Sequence, residues 1–410
     1  MSIARRDFLK VVGGASVAGS LAGAGVGSSR AEAAVRGFGF ADDHVPMNAA
    51  NLCPMPTVVT EAHARYAAAL DRSLSTATRQ AVEAHKETAR LKVATLLGIA
   101  ADELAIVRNT SEANGVIVQG LPLEAGDEVV LWDQNHPSNL VAWEVQAARV
   151  GASVRRFSVP TETASIDEAV DLFVAAVGDR TRVVSFTHIS NVTGFRTPVA
   201  EICAAIRRRK PDIHIHVDGA QTWGAVDINL GAIECDSFSG SAHKWFMGPR
   251  EVGILYVRER HIDRIWPNIV SVPWGETKDD APRGARKFDA YGQRDDAAIA
   301  ALVEAADFHE TFTPVEIENR SMLIANLLRA SLEDLGVSFV SSANPAFTSS
   351  VIILEARPDR VGELVDIVFK DAGVQTASVG GLRMSPHIYN NADHVARVVA
   401  AVKKNRAMLA

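Results

Sequence analysis

Two charged residues stand where β-like runs of the chain end. The segment Ile213-His214-Ile215-His216-Val217 closes on Asp218 and continues Gly219-Ala220-Gln221. Further on, small residues from Ser239 to Ala242 lead into His243-Lys244-Trp245, with Lys244 twenty-six positions after Asp218. In an open α/β sheet, ligands bind beyond the carboxyl ends of the strands, so an Asp and a Lys placed there are poised to meet one. An aspartate that faces a pyridinium nitrogen and a lysine that condenses with an aldehyde are the parts a pyridoxal phosphate site requires. The lysine must then hold its amine neutral, by a lowered pKa. The aspartate keeps the ring nitrogen protonated, so that the ring draws electrons from a substrate carbanion. Taken singly, each residue reads equally well as half of a surface ion pair.

The elements that would position these residues alternate along the chain. Short apolar, β-branched runs at 104–108, 128–132, 153–157, 182–187, 213–217, 235–239 and 252–257 predict seven strands. Helical spacing fills 111–120, 138–149, 166–177 and 198–209. This alternation predicts an α/β domain over 61–275, with a mostly parallel seven-stranded sheet covered on both faces. Two helices are expected within 61–97, after an irregular N-terminal segment at 34–60. A smaller α+β C-terminal domain is expected over 276–410. It would hold a long helix from 296 to about 335, strands near 337–341, 349–355 and 380–384, and helices near 358–372 and 392–408. The run Arg207–Lys210 reads as a solvated helix end.

The 410 residues carry a net charge of −7, which excludes a mainly electrostatic nucleic-acid binder. Apolar residues at 47% and charged residues at 22% fit a globular chain. Cys53, Cys203 and Cys235 lie far apart with no CxxC pair, so neither a disulfide framework nor a metal site is indicated. No GxGxxG or Walker loop points to a nucleotide. The N-terminus reads as an address. Arg5-Arg6-Asp7-Phe8-Leu9-Lys10 precedes a run of Val, Ala, Leu, Gly and Ser from Val11 to Val26, and Ala31-Glu32-Ala33 is a small-x-small cleavage pattern. The run is shorter than the ~20 residues a stable membrane span needs. The twin arginine resembles the bacterial twin-arginine export signal. The resemblance implies that residues 1–33 engage the export machinery, that the protein crosses already folded with its cofactor, and that it resides in the periplasm.

Asp218-Gly219-Ala220-Gln221 followed by His243-Lys244-Trp245 resembles the aminotransferase class V family of pyridoxal phosphate enzymes, and the His-Lys-Trp triplet is similar to its isopenicillin N epimerase branch. The resemblance extends from about Asn48 to Asn391. It implies fold type I of the pyridoxal-phosphate-dependent transferases, with Lys244 forming the Schiff base and Asp218 on the ring nitrogen. Thr110 and Ser111, in Arg108-Asn109-Thr110-Ser111-Glu112-Ala113-Asn114, match the turn that holds the cofactor phosphate at a helix N-terminus. By the same resemblance His136 stacks on the ring, Asn191 meets the ring oxygen or the substrate, Gln221 donates to the same ring oxygen, and Ser241 and His243 bind the phosphate. Arg383 in Arg383-Met384-Ser385-Pro386-His387-Ile388-Tyr389-Asn390 matches the residue that grips a substrate carboxylate, and Asn48 and Ala49 line the substrate side. Gln293 stands where the family has a threonine that reaches the neighbouring subunit's phosphate, which implies a homodimer.

The implied chemistry is proton removal at Cα of an amino-acid-type substrate. It ends in epimerisation, transamination or loss of a β-substituent. A peptide-type metabolite is one such substrate, and a non-catalytic binder of the cofactor is the reading from another class. Residues 364–382 contain no cysteine, which argues against a desulfurase.

Overall fold

The computed structural model describes residues 37–409. The expected export signal at 1–33 lies outside the described residues. Seven strands form the main sheet: β2 (Leu104–Val107), β3 (Glu128–Trp132), β4 (Ser153–Phe157), β5 (Thr181–Thr187), β6 (His214–Asp218), β7 (Ser237–Ser241) and β8 (Gly253–Val257). Their order is β2-β8-β7-β6-β5-β3-β4. Six of the strands share one direction, and β8 runs antiparallel to both of its neighbours, β2 and β7. The five inner strands lie under helices on both faces, which is why most of them read as continuous apolar runs.

One core layer gathers Trp132, Phe173, Phe186 and Phe238 beneath the helices Thr76–Leu97, Ile166–Ala175 and Val199–Arg209. The opposite layer joins Val107, Leu131 and Leu255 to the helices Thr110–Gly120 and Pro137–Val150. Register across the sheet aligns Thr187 with Asp218, and Asp218 with Ser239. The carboxyl ends of β5, β6 and β7 therefore form one rim.

A second, smaller unit contains a three-stranded antiparallel sheet in the order β11 (Ala377–Ser378), β12 (Leu382–Met384), β9 (Ile352–Leu354). The helices Pro314–Glu333, Val361–Ala372 and Ala392–Lys404 close its core around Leu328, Leu364 and Val398. A short strand near the N-terminus, β1 (Val45–Pro46), pairs in parallel with β10 (Val374–Gln375) in this unit. The chain then runs from here to the rim of the main sheet, since Cys53 N–H donates to the His243 carbonyl.

Two expected elements differ. The long helix from 296 to 335 is three helices, Asp296–Ala300, Leu302–Thr311 and Pro314–Glu333. Pro314 offers no N–H to continue the preceding helix, and Thr313 with Glu316 forms a capping box that starts the next one. The strand expected at 337–341 is a single bridge from Phe339 to Leu354. Among the described residues no helix is long and apolar enough to cross a membrane.

Candidate active site

The rim at the ends of β5, β6 and β7 opens into a cleft lined by Thr110, Ser111, His136, Asn191, Asp218, Gln221, Ser241, His243 and Lys244. Nine of the residues singled out in the sequence therefore converge, although they are spread over more than 130 positions of chain.

Asp218 is the last residue of β6 and is 1% exposed. Ala220 N–H donates to its Oδ1 and Asn114 Nδ2 to its Oδ2, each at 3.0 Å. It forms no ion pair with a described residue. Lys244 follows β7 on the turn that leads to β8. Among the described residues its amine has neither a hydrogen bond nor an ion pair. Burial pushes that amine below the usual lysine range; the Asp218 charge opposes the shift and Arg383 adds to it. A lysine in this state yields its proton readily and is suited to condensation with a carbonyl.

The other end of the cleft is built for an anion. Asn109 caps the helix Thr110–Gly120 through Glu112 N–H at 3.0 Å. Thr110 and Ser111 are thus not the cap but the first helical residues, where amides point outward. Thr110 N–H and Oγ1 meet Ser241 Oγ at 2.8 and 2.7 Å. Ser111 lies exposed beside them, and the helix dipole favours negative charge here. His243 borders this end. Burial, then Lys244 and Arg250, hold its ring at about 4, so it is neutral at pH 7.

His136 lies at the mouth of the cleft, where it caps the helix Pro137–Val150. Its Nδ1 accepts from Ser138 N–H at 3.2 Å, which fixes the ring on its backbone. Burial and then the Lys244 charge lower its pKa, which favours a neutral, flat ring.

Arg383, on β12, arrives from the smaller unit and is 3% exposed. Its Nη1 donates to the Asn191 carbonyl at 3.0 Å and its Nη2 to Asn48 Oδ1 at 3.3 Å. Its Nε is buried without a partner, and no described carboxylate pairs with it. Burial alone lowers its pKa to about 10. A guanidinium in this state lacks its anion, and a planar carboxylate matches its fork. Asn48 thus holds the arginine. Ala49 is fully buried, and its N–H donates to the Ser385 carbonyl.

Gln293 is not brought to this cleft. It is exposed, and its Nε2 donates to the Arg294 carbonyl and to Asp296 at 3.1 and 3.3 Å. Asn114 and Trp245 are partners of the site that the motifs did not single out for a role. Asn114 lies one helical turn after Thr110, on the same face. Trp245 donates to Gln221.

One cluster of described residues has metal-ligand spacing: His214, Asp236 and His261. Asp236 already accepts from Arg207, Arg260 and Ile215 N–H, so the cluster is an ion-pair knot and leaves no carboxylate free for a cation. In the cleft the donor set fits pyridoxal phosphate. Outward amides and hydroxyls suit the phosphate, a free amine suits the aldehyde, and a carboxylate suits the ring nitrogen.

A lysine and an aspartate at neighbouring strand ends of a doubly covered, mainly parallel seven-stranded sheet define a fold type I enzyme of the pyridoxal phosphate class. The family model for aminotransferase class V matches residues 49–398, and the chain belongs to that family. It is 32% identical over 336 residues to an isopenicillin N epimerase of Amycolatopsis lactamdurans, covering 77% of this chain and 84% of the relative. It is 29% identical over 298 residues to a cysteine desulfurase of Salmonella enteritidis, 70% of each. A solved C-DES variant with glycine covalently linked to its pyridoxal phosphate shares the fold, with a TM-score of 0.81 at 22% identity over 88% of this chain and 97% of that one.

Proposed function

We propose that this protein is a pyridoxal-phosphate-dependent enzyme that acts at Cα of an amino acid or an amino-acid-derived substrate, and that it works as an epimerase. One observation carries the reading: the unpaired Lys244 amine and the Asp218 carboxylate share a cleft with which the unpaired Arg383 guanidinium interacts electrostatically. When bound, the cofactor supplies an electron-withdrawing ring that stabilises charge left at Cα. The rest is done by the chain. Arg383 grips the substrate carboxylate with parallel N–H bonds and Asn48 holds it in place. Lys244 Nζ takes the Cα proton as general base. With the cofactor bound, Asp218 would keep a proton on the ring nitrogen, His136 would pack against the ring, Asn191 and Gln221 would hold the ring oxygen, and Thr110, Ser111, Ser241 and His243 would hold the phosphate.

The cysteines favour this reading over desulfuration. Cys53, Cys203 and Cys235 are all buried, and none belongs to 364–382. Cys53, whose backbone N–H donates to the His243 carbonyl, is pushed up to about 12 by burial, so it is a thiol and no nucleophile at neutral pH. The epimerase relative, at the higher identity, supports the choice of reaction.

The test is incubation of the pyridoxal-phosphate-loaded protein with candidate amino acids in deuterated water. A shift of the visible band, deuterium at Cα and loss of optical purity are expected. Oxo-acid product would make it an aminotransferase, and β-substituent release a β-lyase. A band that no amino compound perturbs would leave a non-catalytic binder of the cofactor.

We infer also that two chains form a homodimer in which the Gln293 turn reaches the partner's cofactor phosphate. Support comes from its exposure and from Val272, which lines the same surface pocket and is 88% exposed. Sedimentation giving a monomer at micromolar concentration would overturn this. The Arg5-Arg6 pair supports export by the twin-arginine machinery to the periplasm. Lysines at both positions should hold the protein in the cytoplasm on cell fractionation.

A further inference from the structure

The Asp218 carboxylate is buried with no cation of the described residues paired to it, and its hydrogen bonds have a direction. An ionised carboxylate only accepts, so the Asn114 amide must turn its NH2 toward Asp218 Oδ2 and its oxygen away. That oxygen meets Ser239 Oγ at 2.6 Å and His216 Nε2 at 2.9 Å. His216 must therefore carry its proton on Nε2, and its Nδ1 accepts from Ser237 Oγ at 2.8 Å. With its one proton spent, Ser237 Oγ accepts from His214 Nε2 at 2.9 Å. His214 Nδ1 is then buried with no partner, and the chain ends there. His214, Ser237, His216 and Asn114 thus all donate toward the carboxylate. Each of them is at most 1% exposed.

We propose that Asn114, held by His216, Ser237 and His214, is a positioning residue that fixes Asp218 as an ionised and correctly aimed partner for the ring nitrogen of pyridoxal phosphate. This rests on the cofactor reading above. The chain orients dipoles and does not ferry protons, because its far end is blind. It is also neutral throughout. Burial holds His214 at about 3 and His216 at about 4, so no imidazolium competes with the ring for the Asp218 charge. Aligned hydrogen bonds in a dry interior reinforce one another, and a neutral amide stabilises the carboxylate without cancelling its charge. The strand makes the arrangement possible: positions 214, 216 and 218 alternate onto one face of β6, and Asn114 closes the row from the helix above.

The test uses the full chain loaded with pyridoxal phosphate. Asn114→Leu and His216→Phe should each slow Cα deuterium exchange about tenfold to a hundredfold, the scale of a lost hydrogen bond to a charged group. They should also raise the midpoint of the visible band's pH titration, because a ring that has lost its proton no longer lowers it. His216→Gln, whose amide can still donate to Asn114, should restore both. With a cofactor analogue that has carbon in place of the ring nitrogen, wild type and variants should become equal. The proposal is overturned if the variants keep the wild-type titration midpoint, or if their deficit persists with the carbon analogue. If Asn114→Leu does not fold, the two His216 variants decide by the same criteria. A wild-type protein that gains no visible band with pyridoxal phosphate would instead overturn the cofactor reading itself.

Discussion

Trp245, the residue after Lys244, donates its indole Nε1–H to Gln221 Oε1 at 2.7 Å. An indole is a donor only, so this bond fixes which way the buried amide points. Gln221 Nε2 then donates to the Ala50 carbonyl at 2.9 Å and keeps one hydrogen for the cleft. The Trp245 carbonyl in turn accepts from His387 Nε2 at 2.8 Å, four residues beyond Arg383. The tryptophan of the His-Lys-Trp triplet thus ties the lysine turn of the large sheet to the arginine segment of the smaller unit.

Trp245→Phe should leave Gln221 Oε1 buried and unpaired, at a cost of about 1–3 kcal/mol in stability. It should also weaken cofactor binding, since the amide is free to flip. Gln221→Leu in the same background removes the orphaned group. A double-mutant cycle by urea unfolding should therefore show coupling of about 0.5–3 kcal/mol. Simple additivity would mean that the bond does not order the amide.

Arg383→Lys should raise KM for an α-carboxylate substrate about a hundredfold, because an ammonium cannot match the fork of a carboxylate. Arg383→Met should abolish turnover and yet raise the melting temperature of the protein without substrate. The buried guanidinium has no anion, so its charge costs stability until substrate arrives. Differential scanning calorimetry checks the second outcome, and a lowered melting temperature would show that the bonds to Asn191 and Asn48 outweigh the buried charge.

The main sheet was legible because four of its five inner strands carry Val, Ile or Leu at buried positions. β7 was harder: it reads Ser-Phe-Ser-Gly-Ser, and the run expected at 235–239 is displaced by two residues to Ser237–Ser241. Its side chains are small because Asn114, Thr110 and Trp223 press against it. The chemistry-bearing residues at strand ends were legible from type and place. Their supports were not. Asn114 and Asp218 are 104 positions apart, and no local pattern pairs a helical amide with a strand carboxylate. Arg207, in the run expected to be a solvated helix end, instead reaches inward to Asp236 and to the carbonyls of Pro211 and Ile213.

Acid should unfold this protein from an unusually mild pH. Burial is the leading cause that holds His188, His214 and His309 at about 3, and His216 and His387 at about 4, against an ordinary value near 6.5. Below 6.5 the unfolded chain binds protons that the folded one refuses. Stability is therefore full above that pH and is lost as pH falls toward the folded values. Each histidine contributes a slope of up to about 1.4 kcal/mol per pH unit, all of one sign. Urea midpoints at pH 7, 6 and 5 should fall progressively. His309→Gln, which keeps a donor toward the Phe246 carbonyl, should shallow the slope. Equal midpoints at pH 7 and 5 would contradict this.

Asp236 has the opposite character. Its carboxylate is wholly buried, and burial alone would raise its pKa. The bonds from His261 at 2.8 Å and from Arg207 outweigh burial and hold it far below the usual carboxylate range. Ile215 N–H adds a bond at 2.8 Å, so the carboxylate joins the start of β7 to β6. Asp236→Asn should cost about 3–5 kcal/mol at pH 7, because it leaves Arg207 partly buried without its anion. The depressed carboxylate contributes stability that is present above the unfolded value of about 4 and is lost as pH falls through the folded one. The gap between wild type and variant should therefore be constant from pH 7 to 5 and narrow only below about pH 4. Isothermal urea titrations on both proteins read it directly, and a gap that already closes between pH 7 and 5 would overturn this account.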